Sequence, residues 1–203
     1  ACQDRAMTSA HGHVFVIKGD RSHLACDVYL QSTDKDLRPG GTWLKAIPDA
    51  ARRLDPDERA EFQAERRFAI PVRVADARSR EPTPVLVAVP YYGTTHADQL
   101  RERVAEFFDV AARVIDERGK VSYGERPLVA FPLFAHRGGG GGPVVGDILN
   151  ALYDEAQLAV ARHRIDVVMV LDQPREYDLA QVIRREDARA WLALNAEQAR
   201  HAR

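Results

Sequence analysis

The chain has 203 residues, with 29 Lys and Arg against 30 Asp and Glu, 45% hydrophobic residues and 29% charged ones. That length supports one core with room for an appendage. The near-neutral charge excludes a broad basic surface for nucleic-acid duplexes, and the apolar fraction excludes disorder throughout. Cys2 and Cys26, the only cysteines, exclude a disulfide scaffold and a cysteine-based zinc centre and point to a reducing compartment. The opening ACQDRAMTSAHGH lacks the apolar stretch of a secretory signal, and runs such as PVLVAVP and VVMVL are too short to cross a bilayer. A cytoplasmic protein away from membranes is expected. Starting without Met and ending in RHAR, it is expected to be a processed chain or part of a longer one.

Taken in order, short β-rich runs alternate with longer segments of helical period, the pattern of an α/β fold. Strands are expected over 13–19 and 24–32, then as a pair over 68–76 and 84–92. The runs 127–134 and 165–172 are apolar at nearly every residue, as central strands buried on both faces are. The segment 42–66 is helical in pattern but broken by Pro48 and by Asp55-Pro56. A helix from Thr95, its expected N-cap, to Gly119 carries Leu100, Val104, Phe107, Phe108, Ala111 and Ile115 on one stripe. A second, opened by Pro143, carries Val145, Ile148, Leu149, Leu152, Ala156 and Ala159. A last helix over 174–194, with Leu179, Val182, Ile183 and Trp191 at helical offsets, is expected to dock before the chain frays. This gives a tail (1–12), a single domain (13–172) and a helical extension or bridge to a following domain (173–203).

Two glycine clusters stand out, Gly40-Gly41 after Pro39 and the run Gly138 to Gly142. A glycine run is ordinarily a linker, and Gly40-Gly41 reads equally as a turn. The longer run, however, lies between a buried strand and a strong helix, an order that offers free backbone N–H groups and a helix N-terminus to an anion such as phosphate. His136 and Arg137 precede it and add charge. No Gly-Lys-Ser/Thr follows, and there is no GxGxxG after the first strand, which sets aside Walker-type ATPases and dinucleotide dehydrogenases. The histidines have no convincingly placed acidic partner, so no metal site is assigned. Tyr91 and Tyr92 read as core aromatics in preference to base-stacking rings.

The stretch from Val14 to Ile47 resembles the start of a macro domain. Gly19-Asp20-Arg21-Ser22 stands where that family has Gly-Asp-Ile-Thr, and Asp27-Val28-Tyr29-Leu30-Gln31-Ser32-Thr33-Asp34 stands at its Asp-Ala-Ile-Val-Asn-Ala-Ala-Asn. Leu37, Gly40-Gly41 and Ala46-Ile47 continue the register without a gap. Ala130-Phe131-Pro132 with the glycine run to Pro143 resembles the second phosphate loop, with one extra residue. The resemblance implies a three-layer α/β/α domain, a central mixed sheet flanked by helices, with a cleft for ADP-ribose or a related NAD-derived nucleotide.

Carried over by position, Asp20 would accept a hydrogen bond from adenine, with Arg21 beside it, although an Asp after Gly also simply forms turns. Gly40, Gly41 and Thr42 would line the distal ribose and a phosphate, and Asp34 would accept from ribose hydroxyls. Trp43 would either narrow that end or face the core. His136, Arg137, Gly138, Gly139, Gly140, Gly141 and Gly142 would wrap the diphosphate. Hydrolytic members use an Asn and an Asp where this chain has Asp34 and Leu44, so no catalytic residue is assigned and enzymatic turnover by that route is not expected. The implied role is a bacterial nucleotide sensor, with an effector domain in the same polypeptide or complex, as in anti-phage defence proteins that carry modules of this kind. The alternatives are an ADP-ribosyl or nucleotide hydrolase and a ligand-free interaction scaffold. No cofactor is implied.

Overall fold

A computed structural model describes residues 12–37, 47, 49–74, 79–90, 96–135 and 144–201, without the side chains of Ser22, Ala188 and 190–201. The elements run β1 (Val14–Lys18), β2 (Val28–Thr33), α1 (Ala50–Arg53), α2 (Pro56–Gln63), β3 (Ala69–Pro71), β4 (Thr83–Ala88), α3 (Ala97–Arg118), β5 (Leu128–Pro132), α4 (Val145–His163), β6 (Asp166–Leu171) and α5 (Pro174–His201), with a 3-10 turn at Arg21–His23. They form a six-stranded sheet in the order β1-β6-β5-β2-β4-β3. All neighbouring strands are parallel except β3 and β4, whose antiparallel register sets Ala69 opposite Val87 and Pro71 opposite Val85.

Each strand divides its side chains between two layers because successive Cβ atoms alternate. Val85 and Val87 of β4 join Val129, Phe131, Val167 and Met169 in the large core beneath α3 and α4. Leu86 and Ala88 face the other way, into a cluster with Ile47, Ala50, Leu54 and Phe62 under α1 and α2. Val168, Val170 and Ala130 share that second face with Cys26. The result is an α/β/α sandwich around a mixed sheet.

The expected helical stripes are buried: Leu100, Val104, Phe107, Phe108, Ala111 and Ile115 on α3, and Ile148, Leu149, Leu152, Ala156 and Ala159 on α4. Phe108 meets Phe131 edge-on at 5.6 Å, which ties α3 to β5. Expected helix starts at Thr95 and Pro143 lie outside the described residues; α3 is preceded by His96, which makes no side-chain cap.

Some boundaries differ from the pattern. The second strand begins at Val28 and not at Leu24, because Asp27 turns its carboxylate away into a neighbouring connection. The third is three residues long: Ala69–Pro71 form the ladder with β4, and Phe68 and Val72 on either side add one backbone bond each to Ala88 and Pro84. Helix α5 continues to His201, past the expected end near residue 194, because nothing after Pro174 interrupts a run rich in Ala, Glu, Gln and Arg. Ala180 lies in the main core with Tyr177, Leu179 and Ile183 against it, whereas Val182 is 46% exposed. The first turns of α5 are therefore part of the sandwich. At the other end, the Gly12 N–H donates to the Val160 carbonyl, and a Cβ at Gly12 would meet the Ile165 oxygen at 1.7 Å. Glycine is required there by close approach.

Candidate functional site

Because five strands are parallel, the connections that follow β1, β2, β4, β5 and β6 all leave one edge of the sheet. In open α/β sheets ligands bind outside that carboxyl edge, where neighbouring strands send their connections to opposite sides. Here β2 leads to α1 on one face and β5 leads to α4 on the other, and β2 and β5 are neighbours. A crevice between them is the position the topology favours.

The two strands also part early. They pair only at Val28–Val129 and Tyr29–Ala130, while β2 pairs with β4 over six positions and β5 with β6 over five. The cause is covalent. Val89 donates to the Thr33 carbonyl, so odd residues of β2 turn their backbone groups to β4 and even ones, including Leu30, turn theirs to β5. Asp166 donates to Pro127, so odd residues of β5 face β6 and even ones face β2. The rung after Tyr29–Ala130 would run from the N–H of residue 132 to the Leu30 carbonyl, and residue 132 is proline. The Leu30 oxygen instead accepts from Arg21 Nη1.

Asp20 is exposed just past β1, and its carbonyl accepts from the His23 N–H at 3.2 Å. Arg21 is half-buried. Its Nη2 donates to Gln31 Oε1 at 2.8 Å, and its guanidinium lies 4.5 Å over the Tyr29 ring. Burial pulls the Arg21 pKa below its ordinary value and raises that of Tyr29. The cation thus faces β2. Asp34 is half-buried immediately after β2, its carbonyl accepting from the Leu37 N–H at 3.2 Å and from Thr33 Oγ1 at 3.2 Å.

Both connections pass through a non-glycine residue in the left-handed region soon after their strands, Leu37 at φ 52° after β2 and Ala135 at φ 63° after β5. Such a conformation costs about 1–2 kcal/mol and persists only where the surroundings impose it, often at ligand sites. Leu37 is held by burial beside Ile47, so the segment between them starts and ends in one apolar cluster. Ala135 follows buried Leu133 and Phe134. Gly40, Gly41, Thr42, Trp43, Leu44, His136, Arg137 and Gly138 to Gly142 lie outside the described residues, as do Tyr91 and Tyr92.

Sequence reasoning assigned no role to Gln31 or Pro132. A proline ending a run otherwise apolar enough for a central strand was the available signal, since proline is confined to edges, ends and breaks in pairing. Among the described residues no group of three His, Cys, Asp or Glu side chains could hold a metal, and no helix is long and apolar enough to cross a membrane.

No family model matches the chain, and no curated protein matches it. Solved structures do. The macrodomain of Oceanobacillus iheyensis with ADP is 16% identical with a TM-score of 0.57, over 86% of this chain and 91% of that one. A mutant of the same macrodomain with ADPR is 13% identical with a TM-score of 0.55, over 86% and 92%. An alphavirus P23pro-zbd structure is 14% identical with a TM-score of 0.57, matching 88% of this chain but 24% of that one. The sheet order and the layers define an α/β/α sandwich whose strands β2 and β5 part toward the carboxyl edge. This chain has the macro-domain fold.

Proposed function

We propose that the chain binds ADP-ribose or a related NAD-derived nucleotide across the carboxyl edge of its sheet and acts as the sensing module of a larger system. The observation that carries this is the β2–β5 divide. Two neighbouring parallel strands separate there, and the connections bearing Gly40-Gly41 and Gly138 to Gly142 leave the same edge of the sheet from their ends. Glycine-rich backbone at such a divide suits a diphosphate, which needs close N–H donors and no Cβ. In this reading Asp20, exposed past β1, accepts from an adenine amino group, and Asp34, just after β2, from ribose hydroxyls. Two of the similar structures were solved with ADP and with ADPR.

A pocket acts only through what it is attached to, so the reading includes an effector in the same polypeptide or complex, as in nucleotide-triggered anti-phage defence. Calorimetry of the whole chain with ADP-ribose, cyclic ADP-ribose and NAD tests the binding. Saturable one-site binding of at least one is expected, with the ligand recovered unchanged, and replacement of Gly139 and Gly140 by Val should abolish it. No heat with any of the three overturns the reading.

A further inference from the structure

The connection from β1 to β2 crosses β6 and β5, a span of about 14 Å at the usual strand spacing. A crossover of this kind gets no support from strand pairing; Leu24 and Cys26 pack its later half on the cluster of Ala130, Val168 and Val170, and hydrogen bonds pin it at separate points. At its start the Gly19 N–H donates to the Leu171 carbonyl at 3.0 Å. At its end the Asp27 N–H donates to the Leu128 carbonyl at 2.8 Å. Between them, the Arg21 side chain reaches β2 and takes hold where Pro132 leaves the Leu30 carbonyl without a backbone donor. Three features converge on it: the carbonyl, the Gln31 amide oxygen and the Tyr29 ring, so the planar fork is fixed in both direction and tilt. Asp20 immediately precedes this pin. The 3-10 turn that follows is closed by His23 N–H to the Asp20 carbonyl and Leu24 N–H to the Arg21 carbonyl at 3.0 Å.

We propose that Arg21 is the positioning residue of this site: by completing the rung that Pro132 cannot make, it clamps the β1–β2 crossover to β2 and so sets where Asp20 stands at the carboxyl edge of the sheet. This rests on the nucleotide reading for its consequence, but the clamp itself does not. Arg21 then acts on the ligand through Asp20, not by direct charge.

A double-mutant cycle in the whole chain tests this, with ADP-ribose and ribose 5-phosphate as ligands. Arg21→Met should weaken ADP-ribose by about tenfold or more, and ribose 5-phosphate by less than about twofold. In an Asp20→Ala background the same substitution should add less than about twofold. Arg21→Lys keeps the charge but not the fork, and should behave like Arg21→Met; Arg21→Gln serves if the Met variant does not fold. Additive losses, equal losses for both ligands, or full binding by the Lys variant would overturn the proposal. Absence of binding by the unmodified chain would sink the nucleotide reading, and amide exchange then decides the clamp. Exchange at His23 and Leu24 should quicken by about tenfold or more in Arg21→Met while β1 is unchanged; unaltered rates would overturn it.

Discussion

Asp27 and Leu128 are joined twice: the Asp27 N–H donates to the Leu128 carbonyl at 2.8 Å, and the Leu128 N–H donates to Asp27 Oδ2 at 2.6 Å. The other carboxylate oxygen accepts from the N–H groups of Val121 and Ser122, the latter at 2.8 Å. Asp27 is 3% exposed, so one buried carboxylate serves three backbone donors, two in the α3–β5 connection and one at the start of β5.

Asp27→Asn should therefore cost at least about 2 kcal/mol, because the amide must point a donor at an N–H that it cannot accept from. Thermal unfolding should show a fall of about 4–8 °C for a chain of this size. A change under about 1 °C would mean that the carboxylate is not needed there.

The Pro132 explanation of the β2–β5 divide predicts a rescue. Arg21→Met strands the Leu30 carbonyl, at a cost of about 1–3 kcal/mol. Adding Pro132→Ala returns an N–H at the position facing that oxygen and should recover part of the loss in urea denaturation. A double variant no more stable than Arg21→Met would show that the strands are parted by something else.

Ala135, at φ 63°, predicts opposite effects for two small changes. Ala135→Gly removes the Cβ clash and should be neutral or slightly stabilising, while Ala135→Val should lose about 1–2 kcal/mol or more. Denaturant midpoints decide it, and a Gly variant weaker than the Val variant would contradict the left-handed backbone.

Cys26 is buried, and desolvation, followed by the charge of Asp27, pushes its thiol up to about 12. The unfolded thiol ionises near pH 8.5. The folded state favours the neutral form, so its contribution is fully present below that pH and is lost as pH rises towards 12. Unfolding free energy should fall more steeply between about pH 9 and 11 in the unmodified chain than in Cys26→Ala. Parallel profiles would refute the shift, as would rapid labelling of the native thiol at Cys26 at pH 8.

Much of the fold was legible in residue order. The stripe from Leu100 to Ile115 and that from Ile148 to Ala159 name buried helix faces because helical period and burial are the same fact seen twice. The stretches around Phe131 and Met169 were recognisable as buried strands because they are apolar at nearly every position. Asp27 was less legible: in sequence it is one more acidic residue ahead of a strand, and its three donors come from about a hundred positions away. Arg21 was legible only as a charge beside Asp20, since its partners are a backbone carbonyl and a glutamine on another strand. The role of Pro132 depended on which neighbour its nitrogen faces.

The amino-acid order by itself determined which residues turn inward, where helices and strands form and which segments carry glycine. Such patterns record the water-avoiding side of each element, a property of local spacing. Only the tertiary structure decided that β2 lies next to β5, that their ladder fails at Pro132, and that Arg21 reaches the carbonyl left over. Strand neighbours are chosen by how all the layers pack together, and no local spacing contains that choice.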